Sequence, residues 1–600
     1  MAARASTHPA SIEDVDHRAR TWVKVAEARE IQGEGPHAVG GQGVDLVLLR
    51  APSGLRVYEG RCPHQGALLG EGEIEDGALV CRNHRWRFDV DTGRRHGGPE
   101  CLRACPVREE GGAILVDVSV LAREGSRVST PVRSLDDLPG PRAWPLVGNV
   151  FQLDSEQAHV TLEGWAAKYG PMYLLHLGSS KVLVIADPKL MEPLYRSRPE
   201  TYRRPSQVED IFVELRVAGV FSAEGEAWRA QRRLAMEALS QRHLRGFFPS
   251  LQGVAQRFLR RWGDAADAGR PLDVADELKR FTVDVTTLLV FSHDLNTLEK
   301  GDEDVIQRHL EHVFPALDRR LSAIFPYWRY LRLPADRRVD RALREIYAWL
   351  VSVIGHARAG LAADPARAEK PANFIEAMLV ARDAEGRPFS DDVIFGNALT
   401  MLLAGEDTTA YTLAWAIHHL CDAPAAAAAL RAEADAVFEG ASLPAEIDQV
   451  GRLAYALAVA NETMRLRSIA PTPFFEPNRD VVIGDVAVPK GTRIITVARV
   501  PARDAAYFDA PAQFLPERWL DGLGNGKRHD PSVHVPFGSG PRICPGRTLA
   551  LLEMRLVLGA IYKNFDVERV GSSADVRERL SFTMSPTNLR VKVRRRARVG

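Results

Sequence analysis

The sequence predicts a multidomain chain: a small all-β domain over residues 21–120, then a large, mainly α domain with small β-sheets over residues 138–600. Three observations carry this. At 600 residues the chain is too long for a single hydrophobic core. From Trp22 onward, short strand-like runs such as residues 45–49 and 113–118 alternate with glycine-rich turns, whereas beyond residue 138 apolar residues recur mostly with a helical period. Between the two, residues 121–137 are dominated by Ser, Thr, Arg and Asp without periodicity, as expected of a linker.

The chain opens on residues 1–20, with Glu13, Asp14, Asp16, Arg18 and Arg20 and no apolar core. This predicts a disordered tail and not a signal peptide. The 78 basic and 78 acidic residues balance, so nothing global calls for a nucleic acid or an anionic membrane. The basic bunch Arg590, Lys592, Arg594, Arg595, Arg596 and Arg598 reads as a solvated strand end. The apolar run at residues 393–403 is closed by Glu406 and Asp407, so a buried helix is expected there and no transmembrane anchor anywhere. Six cysteines in so long a chain argue against a disulfide framework and for a cytoplasmic location.

Within the β domain, Cys62-Pro63-His64 and Cys81-Arg82-Asn83-His84 form two Cys/His pairs, sixteen residues apart. Two thiolates and two imidazoles could hold one tetrahedral zinc, or a two-iron cluster with cysteines on one iron and histidines on the other. Cys-x-His is short for a zinc knuckle, and Trp86-Arg87-Phe88-Asp89 continues as a strand and not as a zinc-finger helix, which argues for iron. The segment resembles a Rieske [2Fe-2S] domain, which implies a [2Fe-2S] cluster held by Cys62, His64, Cys81 and His84. It lacks the extra cysteine pair of respiratory-complex Rieske proteins and is closer to the ferredoxins that feed ring-hydroxylating oxygenases. Arg82 and Arg85 depart from that pattern, which has proline and glycine there; without the glycine the tight turn is in question. Arg82, Arg85 and Arg87 either gather positive charge at the cluster, offering a face to an acidic partner, or point into water. Cys101, Cys105 and Cys421 fit no ligand pattern and read as small buried hydrophobes.

The large domain begins with the rigid Leu138-Pro139-Gly140-Pro141. Trp228 and Arg232 are one helical turn apart and share a face. Ala404-Gly405-Glu406-Asp407-Thr408-Thr409 interrupts an apolar helix spanning 391–420. An acid and a hydroxyl there are costly unless hydrogen-bonded, and they can open the helix to water. Glu462 and Arg465 stand at i and i+3, with Phe514-Leu515-Pro516-Glu517-Arg518-Trp519 downstream. Last comes Phe537-Gly538-Ser539-Gly540-Pro541-Arg542-Ile543-Cys544-Pro545-Gly546, a cysteine in a glycine-rich loop whose following helix points its positive end at the sulfur.

These segments resemble the cytochrome P-450 superfamily of heme-thiolate monooxygenases, with Phe537, Gly540, Arg542, Cys544 and Gly546 at its defining positions. The resemblance implies heme b, with Cys544 on the iron and Trp228, Arg232 and Arg542 at the propionates. It makes Asp407 and Thr408 the catalytic acid–alcohol pair that delivers protons to O2, and Glu462, Arg465 and Arg518 a structural network. Residues 471–475 and 585–587 correspond to pocket-lining positions and indicate a small apolar organic substrate. Gly33-Glu34-Gly35-Pro36-His37-Ala38 mimics a dinucleotide fingerprint, but Val39-Gly40-Gly41 follows where a helix must start. With no flavin or nicotinamide site, a separate NAD(P)H-dependent flavin reductase is expected. The expected function is insertion of one oxygen atom from O2, with the cluster relaying electrons to the heme. The alternative makes the N-terminal domain a docking or redox-sensing module off the electron path. A Rieske non-heme oxygenase is rejected, since His418 and His419 are adjacent and cannot face one iron from a helix.

Overall fold

The structure, a computed structural model, describes residues 21–121, 133–300, 312–369, 371–382, 386–520 and 529–596, apart from residues 32, 34, 42, 43, 84, 322 and 324. The expected tail at 1–20 lies outside the described residues. Contacts divide the chain into two compact units, Met1–Val128 and Ser129–Gly600.

The smaller unit is built on β1 (Trp22–Glu27), β2 (His37–Gly41), β3 (Val44–Ala51), β4 (Gly54–Glu59), β5 (Glu73–Glu75), β6 (Ala78–Val80), β7 (Arg87–Asp89), β8 (Ala104–Cys105), β9 (Val107–Glu110) and β10 (Ala113–Asp117). They form sheets ordered β1-β10-β9, β2-β3-β4-β8 and β5-β6-β7. Strand β3 is apolar on both faces because it divides two cores. Leu46 and Leu48 enter one with Val57, Ile114 and Val116; Val47 and Leu49 enter the other with Tyr58, Phe88, Cys62 and Cys81. Cys62 and Cys81 are therefore closed directly onto a core. The segment after the dinucleotide-like Gly33 and Gly35 is strand β2, not a helix.

In the larger unit a five-stranded sheet joins Met172–Leu177, Ser180–Ile185, Arg493–Thr496, Phe474–Pro477 and Tyr202–Arg203, beside a helical core. The helix Asp391–Asp422 is buried nearly all round and threads two clusters. Ala398, Leu399 and Leu402 belong to one and Leu413, Ala414 and Ile417 to the other, so residues 404–409 fall at the join. The helix Val274–Phe291 runs against it, with Phe281 and Val285 in one cluster and Val290 and Phe291 in the other. Of the C-terminal basic bunch, Arg590–Arg595 form a strand and Arg598 lies outside the described residues; Arg594, Arg595 and Arg596 pair with Glu568, Asp267 and Asp435.

One expectation changes. Residues 133–137, read as linker, pack into the larger unit. Arg133 Nε and Nη2 donate to Asp485 at 2.8 and 2.7 Å, and Leu135 is buried beside Leu138 in the core against the small sheet. Two leucines three residues apart anchor a stretch whose composition is otherwise polar. The helix Pro334–Ala363 is, by length and composition, apolar enough to cross a membrane, with an 18-residue window of mean hydropathy 1.2. Charged residues crowd its first half, so it holds no uninterrupted apolar run of spanning length. Val339, Ala342, Ile346, Leu350 and Ile354 on this helix are buried in the core.

Candidate functional site

The Cys544 loop is shaped by two left-handed glycines, Gly538 and Gly540, at φ 74° and 72°. A Cβ on Gly540 would lie 2.4 Å from the Tyr195 carbonyl oxygen, so only glycine fits. The Cys544 N–H donates to Phe537 O at 2.9 Å, closing the loop, and the helix Arg547–Asn564 follows. Desolvation holds the Cys544 thiol above its ordinary value, against which the Gly546 and Arg547 N–H groups and the charges of Arg232 and Arg547 pull it down. Those donors suit a sulfur anion, the form that binds a metal.

Beside the loop lie four arginines and the carboxylate of Glu224. Arg542 donates to Ala223 O at 2.8 Å and to Glu224 at 3.2 Å, with its guanidinium 4.7 Å from the centre of the buried Trp228 ring. Arg198 reaches Glu224 at 3.4 Å, the Arg204 N–H donates to the same carboxylate at 3.2 Å, and the Arg204 guanidinium lies 3.8 Å over Phe221. Arg232, on the helix Gly225–Ala238 with Trp228, donates to the carbonyl of Ile543, next to the cysteine. Burial first, then repulsion from Arg198 and Arg204, lowers Arg542 to about 8. Burial and Arg198 lower Arg204 to about 9. So much uncompensated positive charge in a protein interior calls for an anion with more than one charge. Trp228, Arg232 and Arg542 are thus brought together as expected. Arg198 and Arg204 were missed, since they lie in a turn and a bend with no helical spacing; a proline directly after each arginine was the available signal.

On the helix Asp391–Asp422, hydroxyls bind backbone carbonyls through the motif: Thr408 Oγ1 to Ala404 O at 2.7 Å, and Thr412 Oγ1 to Thr408 O at 2.8 Å. Thr282 Oγ1, from the neighbouring helix, donates to Glu406 O at 2.8 Å. A Cβ at Gly405 would come within 2.7 Å of Thr286 Oγ1, which explains the close helix crossing. Ala404 is exposed although residues 398–403 are buried, so a space opens at this point. Glu406 and Asp407 are buried, and Lys279 Nζ stands 3.2 Å from each carboxylate. Burial alone would lower the Lys279 pKa, but Glu406 and Asp407 hold it above the usual lysine value. Lys279 lies on another helix and no local pattern marked it.

In the smaller unit the two cysteines head loops of the same construction. Cys62 starts a six-residue loop closed by the Arg61–Leu68 bridge; Cys81 starts one closed by the Val80–Arg87 pair. In each, the cysteine N–H donates at 2.8 Å to the sixth residue, Ala67 or Trp86, and the fifth residue, Gly66 or Arg85, donates at 2.9 Å to the cysteine carbonyl. Arg85 takes φ 61° where Gly66 takes 71°, so the turn survives without its glycine. Asn83 Nδ2 donates to Gln65 Oε1 at 3.2 Å and ties the loops together. His64 stacks on Trp86 at 4.3 Å, and Arg95 covers the other indole face at 3.5 Å. His84 lies outside the described residues. Matched loops presenting buried Cys62 and Cys81 fit a cluster shared between two loops. Arg85 and Arg87 neither gather charge nor stand free, because they pair with Glu73, Glu75 and Asp76. Of the three remaining cysteines, Cys105 is buried and Cys421 half-buried, but Cys101 is exposed, which corrects its reading as a buried hydrophobe.

The cytochrome P-450 family model matches residues 138–593. The chain belongs to the cytochrome P-450 family. The Rieske [2Fe-2S] domain model matches residues 21–108 of the same cytochrome P-450. Among its relatives are the mitochondrial 25-hydroxyvitamin D-1 alpha hydroxylase of Homo sapiens, 28% identical over 76% of this chain and 91% of that protein, and LUTEIN DEFICIENT 5, chloroplastic, of Arabidopsis thaliana, 25% identical over 79% and 81%. A bifunctional cytochrome P-450/NADPH–P-450 reductase of Gibberella moniliformis is 26% identical over 78% of this chain and 41% of its own length.

The cytochrome P-450 domain implies a heme and the Rieske domain a two-iron, two-sulfide cluster. The N–H donors and cations at the Cys544 sulfur fit the first, and the arginines near Glu224 suit its two propionates. The paired loops fit the second. The enzyme is an oxidoreductase, a monooxygenase acting with O2 on an organic substrate.

Proposed function

We propose that this cytochrome P-450 inserts one oxygen atom from O2 into a small apolar substrate, while its Rieske domain passes electrons from a separate NAD(P)H-dependent flavin reductase to the heme domain. The observation that carries the reading is the pair of matched cysteine loops, intact in backbone hydrogen bonding despite Arg85, in one chain with the Cys544 loop. A relative is named for carrying its reductase in the same chain as its P-450. Here a domain of different redox chemistry accompanies the P-450, and a tether keeps such a donor at roughly millimolar effective concentration. The relative named for 25-hydroxyvitamin D supports a substrate of apolar class.

Bound in these sites, heme supplies oxygen activation and the cluster supplies one-electron transfer. The chain's residues do the rest. Cys544 is the proposed iron ligand, and Trp228, Arg198, Arg204, Arg232 and Arg542 would hold the propionates. Cys62, His64, Cys81 and His84 are the proposed cluster ligands. Asp407 takes a proton from water and Thr408, one residue on, passes it into the space beside Ala404.

The test is anaerobic reduction of the full chain through a ferredoxin reductase under carbon monoxide, following the red-shifted Soret band of a thiolate-ligated ferrous heme. Intact protein is compared with Cys62→Ser, His64→Ala. The band should grow only in intact protein; equal growth in both would make the Rieske domain a docking or sensing module.

A further inference from the structure

We propose that Arg95 is a positioning residue for the Rieske cluster: seated on Trp86, which stacks on His64, it raises the reduction potential of the cluster, with Glu100 as the counter-charge that limits the rise. The inference rests on the assignment of Cys62, His64, Cys81 and His84 as cluster ligands and is independent of where the cluster's electron goes next.

The stack follows from the strand that leaves the second cysteine loop. Arg95 pairs directly opposite Phe88 of β7, and the His96 N–H donates to Arg87 O at 2.9 Å. Opposed residues of an antiparallel pair share a face, so Arg95 comes to the side that carries Phe88 and, two residues back, Trp86, whose ring is 6.4 Å from that of Phe88. The Trp86 indole then has two close neighbours. The His64 imidazole lies parallel to it, at 4.3 Å and 4°. The Arg95 guanidinium lies 3.5 Å from the ring centre on the opposite face, where a cation is attracted by an aromatic ring. Rings this close leave no room for water between the cation and the histidine. Arg95 Nη1 donates to Glu100 Oε2 at 2.8 Å, and the Arg95 N–H donates to Glu100 O, also at 2.8 Å, so side chain and backbone hold the same two residues together. A Cβ at Gly98 would come within 2.4 Å of that carboxylate and 2.7 Å of the guanidinium, so glycine leaves the pair its seat. Arg85 and Arg87 turn instead to Glu73, Glu75 and Asp76.

The charge accounting gives the direction. Two ferric ions, two sulfides, two thiolates and two neutral imidazoles sum to zero; reduction adds one electron, turns one ferric ion ferrous, breaks no bond and leaves the cluster one unit negative. A cation on the histidine side stabilises the reduced form over the oxidised one, and an anion does the reverse. Arg95 touches the indole, whereas Glu100 is tied to Arg95 and is the more exposed of the two, 32% against 23%, so solvent screens it more. The arginine's effect therefore prevails and Glu100 attenuates it.

The test is a potentiometric titration of the full chain, followed by the Rieske electron paramagnetic resonance signal, as wild type, Arg95→Gln, Arg95→Lys and Glu100→Gln. Arg95→Gln and Glu100→Gln break the same ion pair from its two ends. A role confined to holding the loop would move both potentials the same way; a charge acting on the cluster moves them apart. Arg95→Gln should lower, and Glu100→Gln raise, the equilibrium constant for reduction by about threefold or more, about 28 mV for one electron. Arg95→Lys keeps the cation and should stay closer to wild type than Arg95→Gln. Opposite shifts support the inference; any other pattern, including a common shift or none, overturns it. If Arg95→Gln purifies without its cluster, Glu100→Gln decides alone, a raised potential supporting the inference and an unchanged or lowered one overturning it. A wild type with no Rieske signal overturns the ligand assignment and the inference with it, whereas unshifted variants of a wild type that shows the signal overturn the inference alone.

Discussion

Glu553 is enclosed between the helix that follows Cys544 and the helix Asp391–Asp422, 2% exposed, with Thr409 hydrogen-bonded to it. Burial pushes its carboxyl up from 4.5 to about 8. The folded chain therefore holds a proton that the unfolded chain has released. The stability due to this group is fully present below pH 4.5, is lost as pH rises, and levels off above about 8. Glu553→Gln keeps the shape and removes the titration, so urea midpoints measured across that window should lose this downward slope. Glu462 behaves oppositely. Burial alone would raise its carboxyl, but Arg465 and Arg518 hold it below the usual value. It accepts from Arg465 at 2.8 and 2.9 Å, from Arg518 at 3.1 Å and from Trp519 Nε1 at 2.9 Å, all in a buried setting. Glu462→Gln should cost about 3–5 kcal/mol in denaturant unfolding by leaving Arg465 uncompensated. The trio Glu462, Arg465 and Arg518 was legible because its members sit in recognisable local strings. Lys279, Arg198 and Arg204 were not, because what gives each its role is a carboxylate or anion site supplied by a distant segment.

At the scale of elements, backbone proximity sets what each position tolerates. The helix Asp391–Asp422 touches the 217–219 segment so closely that a Cβ on Gly396 would sit 1.8 Å from the Ala218 carbonyl oxygen. Gly396→Ala must force the two apart and should cost about 1–3 kcal/mol or more, read as a lowered Tm. Gly540→Ala meets both a positive φ and the Tyr195 carbonyl, so it should lower the heme content of purified protein, measured as the Soret-to-280 nm absorbance ratio. The cluster loop gives the contrasting case. The sequence placed the Cys81 turn in question at Arg85, yet the residue takes up the left-handed conformation and pairs with Glu75. A side chain in that region costs about 1–2 kcal/mol, which the loop's backbone bonds and ion pairs can offset. Single-residue preference therefore lost to the two hydrogen bonds that fix the loop.

For the whole molecule, each compact unit has its own core and its own redox candidate. Cys62→Ser should abolish the Rieske electron paramagnetic resonance signal while leaving the dithionite-reduced carbon monoxide Soret band at full amplitude. Loss of both would mean that the cluster supports heme binding. The sequence by itself determined the two domain classes, the Cys544 loop, the Cys/His pairs and the polar break at residues 404–409 in an apolar helix. Each is a local pattern whose meaning depends on spacing of a few residues. Only the tertiary structure decided that Arg198 and Arg542 share Glu224, that Lys279 holds Glu406 and Asp407, and that Arg85 and Arg87 are neutralised. Charge compensation in an interior is settled by which distant segments meet, and no periodicity along the chain encodes that meeting.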